Sequence, residues 1–134
     1  MTQSTFTRSW IASANGHSDF PLQNLPMGIF SLNGSAPRSG IAIGEHIFDL
    51  EAALAAGLFE GQAKVAVEAS LGGALNTYFA LGRSARVALR ERLLELLGEG
   101  STLRGKIEAQ GAKLLPLAAD CQLHLPAKIG DYTD

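Results

Sequence analysis

The stretch that most constrains the fold is Ile41-Ala42-Ile43-Gly44-Glu45-His46-Ile47-Phe48. Two apolar triplets flank a two-residue loop that begins with glycine. That order suits a type II′ turn and predicts a tight antiparallel hairpin. Side chains alternate along a strand, so Ile41 and Ile43 share one face, as do His46 and Phe48. Upstream, Pro21, Pro26 and Pro37 with Asn15-Gly16 and Asn33-Gly34 read as turns between short extended pieces. Among them Met27 to Leu32 reads as a further strand, ended by Asn33-Gly34.

After the hairpin the character changes. Asp49 stands where a helix N-cap belongs, Glu51 falls in the first turn, and Gly57 is a stop signal. The alanines from Ala52 to Ala56 favour a short, closely packing helix. Gly72-Gly73 then breaks the chain, and Leu75 to Leu81 reads as helical. The clearest helix runs from Ser84 to Leu97, with Val87, Leu93, Leu94 and Leu97 at helical spacing, and Gly98 and Gly100 end it. Lys113 to Leu117 and Cys121 to Pro126 return to extended character. The sequence thus describes a small α+β domain with strands at both ends and helices between. Its expected core is Trp10, Phe30, Ile41, Ile43, Phe48, Leu54, Leu93 and Leu97.

Composition narrows the function classes. The chain has 134 residues, 46% hydrophobic and only 18% charged, with a net charge of −2. That length suits one domain, and so apolar a chain collapses rather than staying disordered. The low charge also suggests a surface covered by another domain or subunit. A dedicated nucleic-acid binder would carry a basic excess, which is absent. With one cysteine, Cys121, neither an internal disulfide nor a cysteine-based zinc site can form. No secretory signal and no membrane-spanning apolar run is seen, so the expectation is a soluble, cytoplasmic chain without a membrane partner.

The residues that carry chemistry are sparse. His17, His46 and His124 lie far apart without ligand spacing and read as structural or solvent-facing. Cys121 reads as a small core residue. The glycine pairs lack the surroundings of a dinucleotide site. Arg83, Arg86, Arg90 and Arg92 alternate with Glu91, Glu95 and Glu99 and read as an ordinary solvated face. At the end, Asp131 and Asp134 offer oxygen ligands for a hard cation, but two carboxylates do not make a site.

Four blocks are recognisable as they stand. Ser18-Asp19-Phe20-Pro21-Leu22-Gln23-Asn24-Leu25-Pro26-Met27-Gly28-Ile29-Phe30 resembles the opening motif of the fumarylacetoacetase family. The hairpin block Gly40 to Leu50, the helical block Leu75 to Phe79 with Leu81-Gly82-Arg83, and the stretch Leu123 to Asp134 are similar to that family's next blocks, in order. The resemblance implies an N-terminal domain over residues 1–125, a small SH3-like β-barrel with added helices. Residues 126–134 would then start the segment leading into a catalytic domain absent from this sequence.

For a complete enzyme the resemblance implies hydrolysis of a carbon–carbon bond in a small-molecule diketo acid, with fumarylacetoacetate as the best candidate. A Ca²⁺ or Mg²⁺ ion would act as Lewis acid and a histidine would activate water. The second aspartate of Asp131-Tyr132-Thr133-Asp134 maps onto a metal ligand, so Asp134 is the metal-site candidate and no catalytic residue lies in this stretch. His124 precedes the motif and is not the catalytic histidine. The family implies a homodimer and a catalytic domain on the same polypeptide. At a free C-terminus Asp134 is expected to be solvated, with no tightly bound metal. A free-standing, non-catalytic interaction module is the alternative, and half of a split enzyme a third. The intact Asp-Tyr-Thr-Asp approach favours the first reading. Asn24-Leu25-Pro26 reads either as a turn feeding a core strand or as a domain-interface element.

Overall fold

The computed structural model describes residues 8–18, 20, 22–32, 34, 36–71 and 76–124, with 76 and 124 by their backbone alone. Its sheet has four antiparallel strands, β1 (Met27–Leu32), β2 (Arg38–Ile43), β3 (His46–Asp49) and β4 (Cys121–His124), in the order β3-β2-β1-β4. The helices are α1 (Leu50–Ala55), α2 (Gly61–Ser70), α3 (Asn76–Ala80), α4 (Arg83–Leu97) and α5 (Arg104–Gln110).

The hairpin forms as its sequence requires. Gly44 has φ +56° while Glu45 stays out of the positive-φ region, the pattern of a type II′ turn. A side chain at Gly44 would also run into Ser13 and the backbone of Ala14. The Ser13 hydroxyl in turn accepts from the Glu45 amide at 3.0 Å, so an N-terminal 3-10 turn buttresses the hairpin tip.

Register then sets the two faces of the sheet. Met27 pairs with Ile41, and Ile41 with Phe48, so one row of apolar side chains crosses three strands on one face. This row joins a continuous buried cluster that includes Leu50, Ala53, Ala66, Val67, Leu89, Leu93, Leu96 and Leu97. Phe30, Gly40 and Ile47 lie on the opposite face, outside that cluster, although Phe30 and Ile47 are buried. Gly40 is needed there because a Cβ would sit 2.6 Å from Ile47 Cγ2 and 2.7 Å from Phe30 Cε1.

Asp49 joins sheet to helix. Its carboxylate accepts from the Ala52 amide at 3.1 Å, capping α1, and from Arg38 Nη1 at 2.8 Å. The expected cap at Asp49 and first-turn Glu51 are therefore present. At the other end of the molecule the last carbonyls of α4 find donors in the N-terminal segment. Trp10 Nε1 donates to Leu96 O at 2.9 Å and the Ser9 hydroxyl donates to Leu97 O. These side chains satisfy acceptors that a helix terminus leaves open.

Several expectations change. The α+β class holds, but the sheet is open: among the described residues no ladder joins β3 to β4, so the barrel is not closed. Instead Asp49 N donates to Leu114 O and Ile47 N to Pro116 O, each at 2.9 Å, before the chain crosses to β4. Helices α2 and α5 add to the expected set. On α4 the buried stripe is Ala85, Leu89, Leu93, Leu96 and Leu97, while Val87 is exposed. Trp10 and Leu54 are half-buried, packed against the core rather than inside it. The expected segment 126–134 lies outside the described residues. Among those described, no helix is long and apolar enough to cross a membrane.

Candidate functional site

The loop before β1, helix α3 and one face of α4 enclose a cleft of about 420 Å³. Its floor is apolar, with Leu25, Met27, Ile41, Leu89 and Leu93, and its rim carries Tyr78, Arg86 and Arg90. The lip is the Asn24-Leu25-Pro26 motif. Leu25 holds φ +46°, a conformation that costs a non-glycine residue of order 1–2 kcal/mol and must be imposed by its surroundings. Two constraints impose it. Arg90 Nη2 donates to the Gln23 carbonyl at 2.6 Å, and the Leu25 side chain is buried in the core. The motif is thus both a turn feeding a core strand and one wall of a cleft.

Burial pushes the Tyr78 phenol above its ordinary pKa, and the nearby Arg86 guanidinium acts in the opposite sense. The net rise keeps Tyr78 a neutral donor throughout the physiological range. Its ring meets Phe79 edge-on, with centroids 5.2 Å apart.

The structure disperses the other candidates. His17 accepts from the Phe20 amide at 3.0 Å and stacks on that ring. His46 places Nδ1 3.2 Å from the Leu115 carbonyl. His124 pairs through its backbone with Ile29, across the sheet from His46. Cys121 is half-exposed rather than a core residue, because β4 is an edge strand; its thiol donates to Leu117 O at 3.3 Å. Burial, and then the carboxylates of Asp120 and Asp49, push that thiol up, away from the thiolate a nucleophile needs. The arginine face of α4 is not merely solvated, since Arg92 Nε donates to Leu58 O at 2.8 Å and Arg90 holds the 22–26 loop. Asp131 and Asp134 lie outside the described residues. Among those described, no group of three or more His, Cys, Asp or Glu side chains is arranged to hold a metal ion. Sequence reasoning missed the cleft, because its walls come from segments more than sixty residues apart in the chain.

The comparisons with known proteins agree on one identification. Residues 23–126 match the family model described as fumarylacetoacetase N-terminal. The fumarylacetoacetase of Caenorhabditis elegans is 40% identical over 120 residues, which is 88% of this chain and 28% of that protein. That of Oryza sativa subsp. japonica is 37% identical over 131 residues, 95% of this chain and 30% of the relative. The Homo sapiens protein is 38% identical over 120 residues, 87% of this chain and 28% of its own length. The chain therefore spans less than a third of each of these relatives. A match that begins in the cleft-lining loop and ends just past β4 takes in the whole sheet, all five helices and the cleft, and on that ground the chain belongs to the fumarylacetoacetase family, as its N-terminal domain.

Proposed function

We propose that this chain serves as the non-catalytic N-terminal domain of an enzyme that hydrolyses 4-fumarylacetoacetate to fumarate and acetoacetate, a step of tyrosine and phenylalanine catabolism. The observation that carries this reading is the match over residues 23–126 to a domain that occupies under a third of its curated relatives. A catalytic domain on the same polypeptide would follow it, in a cytoplasmic homodimer. The segment that hydrogen-bonds along β3 and then continues into β4 supports an SH3-like curl of the sheet.

The described residues do not by themselves fit a divalent-cation centre. In the complete enzyme Asp134 would supply one oxygen ligand to a Ca²⁺ or Mg²⁺ ion, whose chemistry would be Lewis-acid polarisation of the diketo oxygens. What the described residues do is build a folded unit around the β1–β2–β3 meander, with His17, His46 and Cys121 bonded to backbone groups. The test is fumarylacetoacetate hydrolysis by the 134-residue chain, followed by substrate absorbance with excess Mg²⁺ or Ca²⁺. Absence of turnover from a cooperatively unfolding chain is expected. Metal-dependent turnover above a mock preparation would overturn the reading, since a full site would then exist within these residues.

A further inference from the structure

The cleft between the Asn24-Leu25-Pro26 loop and helices α3 and α4 has no role in the hydrolysis proposed above, yet its walls are built as a binding site. Of the two arginines that line it, Arg90 is already engaged, as are several arginines elsewhere in the domain. Arg90 and Arg92 hold loop carbonyls, and Arg92 also pairs with Glu95 at 3.1 Å. Arg38 pairs with Asp49, and Arg104 with Glu108. Arg86 differs: half-buried in the cleft wall, it has no acid or carbonyl partner among the described residues. The Tyr78 hydroxyl beside it likewise has no hydrogen-bond partner among them. The Arg86 donors are claimed by no acceptor among the described residues and reach solvent, so an anion entering the cleft would gain a charge-assisted hydrogen bond there.

We propose that this cleft binds a small monocarboxylate with an apolar body, its carboxylate taken by the Arg86 guanidinium and the Tyr78 hydroxyl and its body by Leu25, Pro26, Met27 and Phe79, above the buried Ile41 and Leu89. Two guanidiniums reach the cleft, but the donors of Arg90 are taken up by the Gln23 and Asn24 carbonyls; Arg86 is left to take one carboxylate, and a second would lose its hydration without a donor to replace it. The volume, about 420 Å³, falls within the range of small-molecule sites, which join an apolar lining to a few convergent polar groups. The site is preformed, since the Arg90 bond to Gln23 O and the fixed αL backbone of Leu25 hold the lip in place. Tyr78 remains a donor at neutral pH because its proton is held more tightly than in a free phenol.

This inference does not rest on the enzymatic reading and can fail separately. Hexanoate and its uncharged counterpart 1-hexanol would be titrated into the 134-residue chain while methyl resonances of Leu25, Ile41 and Leu89 are followed by NMR. Saturable shifts at these methyls with hexanoate, and binding at least about tenfold weaker with hexanol, are expected for a charge-assisted hydrogen bond. Arg86→Gln should weaken hexanoate by a similar factor while leaving hexanol unchanged, which also shows that the variant is folded. Should that variant not fold, Tyr78→Phe provides the same contrast, with a loss of several-fold in hexanoate binding alone. Non-saturating shifts, equal responses to the two ligands, or unaltered hexanoate affinity in the folded variants would overturn the proposal.

Discussion

On the helix side of the sheet, Met27, Ile41 and Phe48 form a row across three strands and meet the buried stripe of α4. On the other side Phe30 and Ile47 close over Gly40, and Leu123, directly opposite Phe30, is 64% exposed. The first face is stabilised by the amount of apolar surface that several elements remove from water. The second is thin and relies on close fit, with a glycine making room for a ring. Removing atoms should therefore harm the first face most, and adding atoms the second.

The largest effect is expected from Phe48→Ala, which empties the main core and should cost about 3–5 kcal/mol in urea unfolding. Phe30→Ala should fall at the lower end of that range, since its neighbourhood is less completely enclosed. A greater loss at Phe30 than at Phe48 would break the comparison. Next comes Asp49→Ala, which removes the α1 cap and leaves Arg38 with only the longer contact to Glu51 at 3.9 Å; about 2–4 kcal/mol is expected. Asp49→Asn should recover the capping part of that loss and not the ionic part.

Gly40→Ala sharpens the contrast from the opposite direction, with an expected cost of about 1–3 kcal/mol from overpacking. Because the clash is with the Phe30 ring, Phe30→Leu should relieve part of it, and a double-mutant cycle should show that coupling. Additive losses would mean that the second face is not limited by fit. The smallest effect concerns Cys121, on the edge strand. Its raised pKa leaves less thiolate than an unstructured peptide thiol near pH 8, so maleimide labelling should be slower than for that peptide. Faster labelling would place Cys121 in an activating environment that the described residues do not provide.

The parts of this fold legible in the sequence were those where a single local rule dominates. Gly44 dictated the hairpin tip, Asp49 the start of α1, and the 3.6-residue spacing of leucines the extent of α4. The faces of the hairpin followed from alternation, and Ile41, Ile43 and Phe48 are indeed buried. Helix α2 was hidden because its buried positions are Ala63, Ala66, Val67 and Ser70, small residues whose spacing is helical but whose hydrophobic contrast is weak. Val87 was misplaced because its neighbour at the opposite phase, Leu89, determines which side of α4 faces the core. The cleft was illegible for a different reason. It depends on tertiary contact between the loop at 22–26 and α4, more than sixty residues later, which no local pattern encodes. The family blocks were readable directly, and they pointed to a domain whose proposed metal ligand, Asp134, lies outside the described residues.

The claim that the helix-covered face carries the stability of the domain is tested most directly by native-state hydrogen exchange on the 134-residue chain. The inward-bonded amides of β2 and the central turns of α4 are predicted to exchange only through global unfolding, with those of β4 that face β1 opening at a lower free energy. Equal protection of β4 and β2, with both tracking the global stability as denaturant is varied, would contradict the account.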